Sequence, residues 1–189
     1  MTIAYAIGVD QSANHTGIAV LDIEGVVLCS ALLEPKMVGL SRLVYIRDGL
    51  HEVLSGHKTA QIGVWESYSM GSTNRPFLLG EVGGIVQLAL YDICHSRVEM
   101  SSPSALKKFI TGDATASKRK MVTTIENRWG EVFENHDDNR ADAYGLAQLG
   151  RHLLDHTLTT RRDQREVIHN ILNPKPKKKR SFRANKGLL

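Results

Sequence analysis

The stretch NHDDNRADAYG, Asn135 to Gly145, sets Asp137, Asp138 and Asp142 around the start of a helix pattern. Like charges this close repel, and a helix N-terminus, whose free N–H groups and dipole favour anions, relieves only part of the cost. Three carboxylates exceed what one cap requires. Either the turn is simply solvated, or a cation such as a metal ion sits among the acids. Two further acids stand at the ends of apolar runs. Asp10 ends IAYAIGV, and Glu66 follows Val64 and Trp65. Taken singly, Glu66 reads equally well as a strand-end surface residue, and Asp142 as an early-helix acid favoured by the dipole. Together, Asp10, Glu66 and Asp142 form an oxygen-only donor set that suits Mg2+ or Mn2+. Two such ions about 4 Å apart are the usual apparatus for cutting a phosphodiester.

That site exists only if distant segments converge. Residues 3–9, 18–22 and 25–33 are short apolar runs joined by turns, which describes an antiparallel meander. Apolar residues from Leu40 to Leu54 recur at helical spacing, and AQIGVWES reads as a buried strand ending at Glu66. After the loop SMGSTNRP, a long apolar helix is expected from Phe77 to Cys94, with Gly80, Gly83 and Gly84 as a small-residue face. Each glycine costs about 1 kcal/mol inside a helix, so close packing against a sheet or a partner helix should offset it. RVEMSS is a further strand; SPSALKKFITG and SKRKMVTTIENRWG are short helices. Asp138 or Asn139 opens a helix to about His156, and residues 161–172 form a last short one. The pattern predicts an α/β fold, a mixed sheet with helices on both faces. If the first and fourth strands are neighbours, Asp10 and Glu66 emerge on one edge. A helix crossing that edge brings Asp142 and one of its neighbours to face them.

At 189 residues the chain is long enough for one well-buried domain. Its 42% apolar and 6% aromatic content is ordinary for a soluble globular protein. No run approaches the roughly 20 apolar residues of a membrane span, and the start, MTIAYAIGVDQS, enters a strand pattern at once rather than a signal peptide. Cys29 and Cys94 lack metal spacing and sit in apolar runs, so two buried thiols in a reducing compartment are expected. The histidines, His15 and His136 among them, show no metal spacing, and no Ser/His/Asp arrangement stands out. GEVGG is not a phosphate loop, because it falls inside a helix with no Lys-Ser/Thr after it. The net charge of +4 hides an asymmetry: residues 173–189 hold seven Lys/Arg and no acid, leaving residues 1–172 at −3. A basic, proline-interrupted tail gains by releasing the counterions of a nucleic acid; a solvated tail or a localisation signal are the alternatives.

The residues now carry a resemblance. GVDQSANHTGIAV resembles the opening of the RuvC Holliday-junction resolvases, and VWESYSM…LLGEVGGIVQLAL is similar to their second motif. SPSALKKFITGDATASKRKMV and ADAYGLA resemble the third and fourth, in order, over about residues 5–150. The resemblance implies an RNase H-like five-stranded fold over residues 1–158, with 159–189 as a short helix and a flexible DNA-binding tail. It implies a cytoplasmic, Mg2+-dependent homodimer, with two ions per site and Mn2+ able to substitute, that resolves four-way DNA junctions by paired symmetric nicks in recombination and repair. Neither a membrane nor a small-molecule cofactor is expected.

By position, Asp10, Glu66 and Asp142 would ligate metal. The family places an acid or His three residues before the last Asp, which here is Asn139; Asp138, four before, lies on the same helix face and is the favoured fourth ligand, with Asp137 as the cap. Lys118 matches a lysine beside the scissile phosphate, and Lys107, Lys108, Arg119 and Lys120 are expected phosphate contacts, as are Lys177, Lys178, Lys179 and Arg180 in the tail. The family's base-stacking aromatic falls in register with Ser69; Tyr68 is its candidate substitute, with packing inside the loop as the equal alternative. Ser12 and Thr16 are expected to order the turn behind Asp10. Divergent spacing and the tail would suit a bacteriophage member. The competing readings are an RNase H-like nuclease for flaps, forks or RNA–DNA hybrids, and a non-catalytic junction-binding module.

Overall fold

The computed structural model describes residues 5–67, 76–95, 97–134 and 137–174. Tyr68, Ser69 and the tail cations Lys177 to Arg180 therefore lie outside the described residues. Strands β1 (Ala6–Asp10), β2 (Thr16–Leu21) and β3 (Val27–Leu33) form the expected meander. Helix α1 (Leu40–Leu54), β4 (Ile62–Glu66), α2 (Pro76–Cys94) and β5 (Val98–Ser101) follow. Four α-helices complete the described chain: α3 (Pro103–Thr111), α4 (Lys118–Trp129), α5 (Asp138–Leu154) and α6 (Arg162–Leu172). The sheet order is β3-β2-β1-β4-β5, antiparallel within the meander and parallel from β1 to β5.

Strand side chains alternate between two faces, so each strand feeds two cores. Ala6, Ala19, Ile62 and Val64 pack under α3, α4, α5 and α6, while Ile7, Val9, Ile18 and Val20 pack under α1 and α2. The same alternation decides where the acids go. Asp10 lies four residues after Ala6, and Glu66 two after Val64, so both project toward the α5 side. The parallel register pairs Val9 with Trp65, which brings the two strand ends to one edge.

Helix α5 lies across that edge on bare backbone. A Cβ on Gly8 would meet the Ala143 carbonyl at 2.0 Å and the Ala147 nitrogen at 2.4 Å; one on Gly17 would meet the Asn139 carbonyl at 2.3 Å. Only glycine lets the helix sit so low. Gly8→Ala should therefore lift α5 and cost at least about 1–3 kcal/mol in urea unfolding, the usual range for overpacking. It should also depress activity, since misplacing a reacting group by about 1 Å costs on the order of a hundredfold.

Caps place the other site helices. Ser102 accepts from the Ala105 N–H at 3.2 Å at the start of α3, and Ser117 from the Lys120 N–H at 3.3 Å at the start of α4. Gly112 and Gly130 end them at φ +83° and +75°. Asp137 caps α5, accepting from the Asn139 and Arg140 N–H groups at 3.1 Å each.

Two expectations need correcting. Cys94 is buried but Cys29 only half so, because β3 is an edge strand. Residues 77–94 of α2, with mean hydropathy 1.5, are long and apolar enough to cross a membrane, so a run near span length does exist. Val82, Val86, Ala89, Leu90 and Ile93 of that helix belong to the core under the sheet. A core helix meets the same length and composition test.

Candidate active site

Asp10, Glu66 and Asp142 line one cavity of about 400 Å3 at the carboxyl ends of β1 and β4, together with Gln11, Lys107, Lys118 and Asn139. Each acid arrives by a different route: a strand end, a neighbouring strand end, and the first turns of the helix that crosses both. Behind Asp10 the turn is tied by its own side chains. Ser12 Oγ accepts from the His15 N–H at 2.9 Å, and the Thr16 hydroxyl donates to the Ser12 carbonyl at 2.9 Å.

The electrostatics record how closely the acids are held. Burial, then the charges of Glu66 and Asp142, push the Asp10 carboxyl well above the ordinary aspartate range. Burial and Asp142 raise Glu66 to about 7, against the opposing fields of Lys118 and Lys107. Burial raises Asp142 to about 6, again against Lys118. Lys118 itself is raised: burial alone would lower it, but the hydrogen bond to Asp138 and the charges of Asp138, Asp142 and Asp10 outweigh that.

These shifts carry a sign. A carboxyl raised in the folded state stabilises the fold fully below its unfolded value and loses that contribution as pH rises through the folded one. For Glu66 the window runs from about 4.5 to about 7. Metal-free protein should thus lose stability across it relative to Glu66→Gln, by at most about 3 kcal/mol. Paired melting curves in EDTA at pH 5 and pH 8 check this.

Among the described residues, no three His, Cys, Asp or Glu side chains are drawn into a ligand-ready group. The acids ring the cavity instead, as mutually repelling charges do, and Lys118 Nζ is bonded to Asp138 Oδ2. The donor chemistry nonetheless fits a hard divalent cation. The cavity offers carboxylate oxygens from Asp10, Glu66 and Asp142, and Gln11 Oε1 is buried with no hydrogen-bond partner among the described residues.

Asp138 adds its field to Asp10 and Asp142 but pairs with Lys118, while Asn139 lines the cavity. Lys107 lines the cavity too. Lys108 reaches Glu166 at 2.7 Å, and Lys120 reaches Asp113 at 3.1 Å. Both are solvent-accessible pairs worth little, which a phosphate can displace. Arg119 is exposed on α4 beside Lys120 and Ser117. Gln11 escaped the sequence reading, because an uncharged amide leaves no signature of repulsion.

A five-stranded mixed sheet with carboxylates gathered at one edge under a crossing helix defines an RNase H-like nuclease. The particular family is equally plain: the model for crossover junction endodeoxyribonuclease RuvC matches residues 6–148, and the chain belongs to that family. A Bradyrhizobium diazoefficiens RuvC is 30% identical over 151 residues, covering 77% of this chain and 85% of that one. A Treponema pallidum RuvC is 27% identical, covering 77% and 76%. The solved Thermus thermophilus RuvC in complex with a Holliday junction substrate shares the fold, with a TM-score of 0.66 at 19% identity over 82% of this chain and 98% of that one.

Proposed function

We propose that this chain is a divalent-metal-dependent endonuclease that resolves four-way DNA junctions by paired symmetric nicks. Its site of action is then the cytoplasm, where the DNA is. The observation that carries the reading is the cavity itself: three carboxylates far apart in sequence meet in it, inside a chain that matches the RuvC family over residues 6–148. Asp10, Glu66 and Asp142 would hold two Mg2+ ions, with Mn2+ able to substitute, and Asp138 would be the fourth ligand. Bound there, the ions would supply Lewis-acid polarisation of the phosphodiester and its attacking water. The chain's own residues do the rest. Lys107 and Lys118 place ammonium groups in the cavity, where they neutralise a phosphate and stabilise charge that develops on it. Arg119, Lys108 and Lys120 hold the flanking backbone, and Tyr68 stacks on an unpaired base.

The working unit is a homodimer built on α2. Phe77, Leu88 and Tyr91 are 88%, 65% and 59% exposed along one side of the helix. Gly80 and Gly84 lie on it, with nothing among the described residues within 4 Å of where a Cβ would stand. Among the described residues no packing within the subunit uses these two glycines, which leaves room for a second α2.

The test is purified protein with a synthetic four-way junction, a flap, a fork, an RNA–DNA hybrid and a duplex, with and without Mg2+. Symmetric junction nicks are expected. Preferential cutting of flaps, forks or hybrids would move the enzyme to another RNase H-like specificity. Tight junction binding without nicks under Mg2+ or Mn2+ would leave a binding module. Deleting residues 175–189, which carry all seven tail cations, should flatten the salt dependence of junction affinity while sparing the chemistry. An unchanged salt slope, measured by fluorescence anisotropy between 50 and 200 mM salt, would remove the tail from the interface.

A further inference from the structure

A second cavity, of about 560 Å3, lies against the first across the opening turn of α3. Pro103, Leu106 and Lys107 of that helix face the acids, whereas Ser104, Ala105 and Lys108 face the second cavity. Ser67, the residue after Glu66, lines it as well. The two cavities thus share a strand end and a helix turn. A DNA strand seated on the acids and continuing past α3 enters the second within a few nucleotides, since a helix with its side chains is about 10–12 Å across.

The far wall is α6, which contributes Val167, Asn170 and Ile171. This helix lies beyond the stretch that matches the RuvC family, which ends at residue 148. It is firmly seated: Val167 and Ile168 are 3% and 5% exposed in the core, and Glu166 pairs with Lys108 across the gap. The wall is therefore preformed and belongs to this chain rather than to the matched family region.

Its chemistry is mixed in a recognisable way. Met100, Ala105 and Ile171 offer apolar surface for a ring face, the Asn170 amide and Ser104 hydroxyl offer donors and acceptors for a ring edge, and Lys108 offers a cation for a phosphate. Glu99, the carboxylate in the lining, is paired with Arg97 at 3.4 Å. We propose that this cavity is a nucleotide subsite, holding one unstacked base of the cleaved strand within three nucleotides of the scissile phosphodiester. The proposal rests on the nuclease reading above, and it makes α6 a determinant of which sequences are nicked.

The test uses full-length protein and junctions carrying 2-aminopurine at each of the three positions on either side of the nick, bound in EDTA so that no cutting occurs. One position should brighten severalfold on binding. Asn170→Ala, and Ala114→Trp placed at the exposed rim, should each reduce that change to background. In Mg2+, the same variants should compress the rate differences among the four bases at that position to within about twofold. The proposal is overturned if no position responds, or if the response and the base preference survive both variants. It is equally overturned if removing residues 175–189 abolishes the response while both cavity variants leave it intact, which would assign the cavity to the tail. Failure of the wild type to nick junctions in Mg2+ would instead strike at the nuclease reading, and the fluorescence in EDTA separates the two.

Discussion

Asp10→Asn is expected to abolish junction nicking while leaving junction binding in EDTA close to wild type. The loss should exceed about a hundredfold, because removing even an outer partner of a metal ligand typically costs 10–100-fold, and Asp10 is the most deeply held of the three acids. Asparagine keeps the shape and removes the charge, so the fold should survive. It should in fact be firmer: Asp10 is raised by burial and by Glu66 and Asp142, and removing one member of a repelling set relieves the others. Metal-free Asp10→Asn should therefore melt at higher temperature than wild type at pH 8, with the gap closing toward pH 5. Magnesium, which should raise the melting temperature of the wild type, should raise that of the variant far less. Wild-type nicking by the variant, measured under single-turnover conditions, would remove Asp10 from the chemistry.

Lys118→Met should give the second large effect, a fall in nicking on the order of 10²–10³, the range seen when one preorganised group facing developing charge is deleted. The stability effect should have the opposite sign to that of Asp10→Asn. The Lys118 ammonium is bonded to Asp138 and lowers Asp10, Glu66 and Asp142 alike. Without it, metal-free protein should lose stability at pH 8, and Lys118→Arg should restore the stability better than the rate. Calorimetric titration with Mg2+ adds a third readout. Asp138, released from its lysine, should make the variant's affinity for the ion at least equal to wild type. If Lys118→Met cuts at the wild-type rate, the lysine is only a counter-charge for Asp138.

The elements were legible because their signals are local. The Leu40–Leu54 periodicity and the strand ends at Asp10 and Glu66 depend on near neighbours, and each helix and strand appears in its expected place. The convergence of Asp10, Glu66 and Asp142 was legible only conditionally, through the assumption that β1 and β4 are neighbours. What stayed hidden is set by partners distant in sequence. Nothing around Gly8 or Gly17 announces that α5 rests on them. Nothing in the lysine cluster shows that Lys108 and Lys120 are held by Glu166 and Asp113, or that Lys118 takes Asp138 while Asn139 lines the cavity. The groove behind α3 required knowing where α6 docks.

The parallel pairing of β1 with β4, capped by α5, has a further consequence for the chain as it is made. Residues 10, 66 and 142 meet only after two crossovers and a late helix are in place, so no fragment emerging earlier from the ribosome assembles a cutting centre. A copy truncated before α5 thus lacks Asp142 and the helix that seats it, and the cavity stays unformed until that helix has docked.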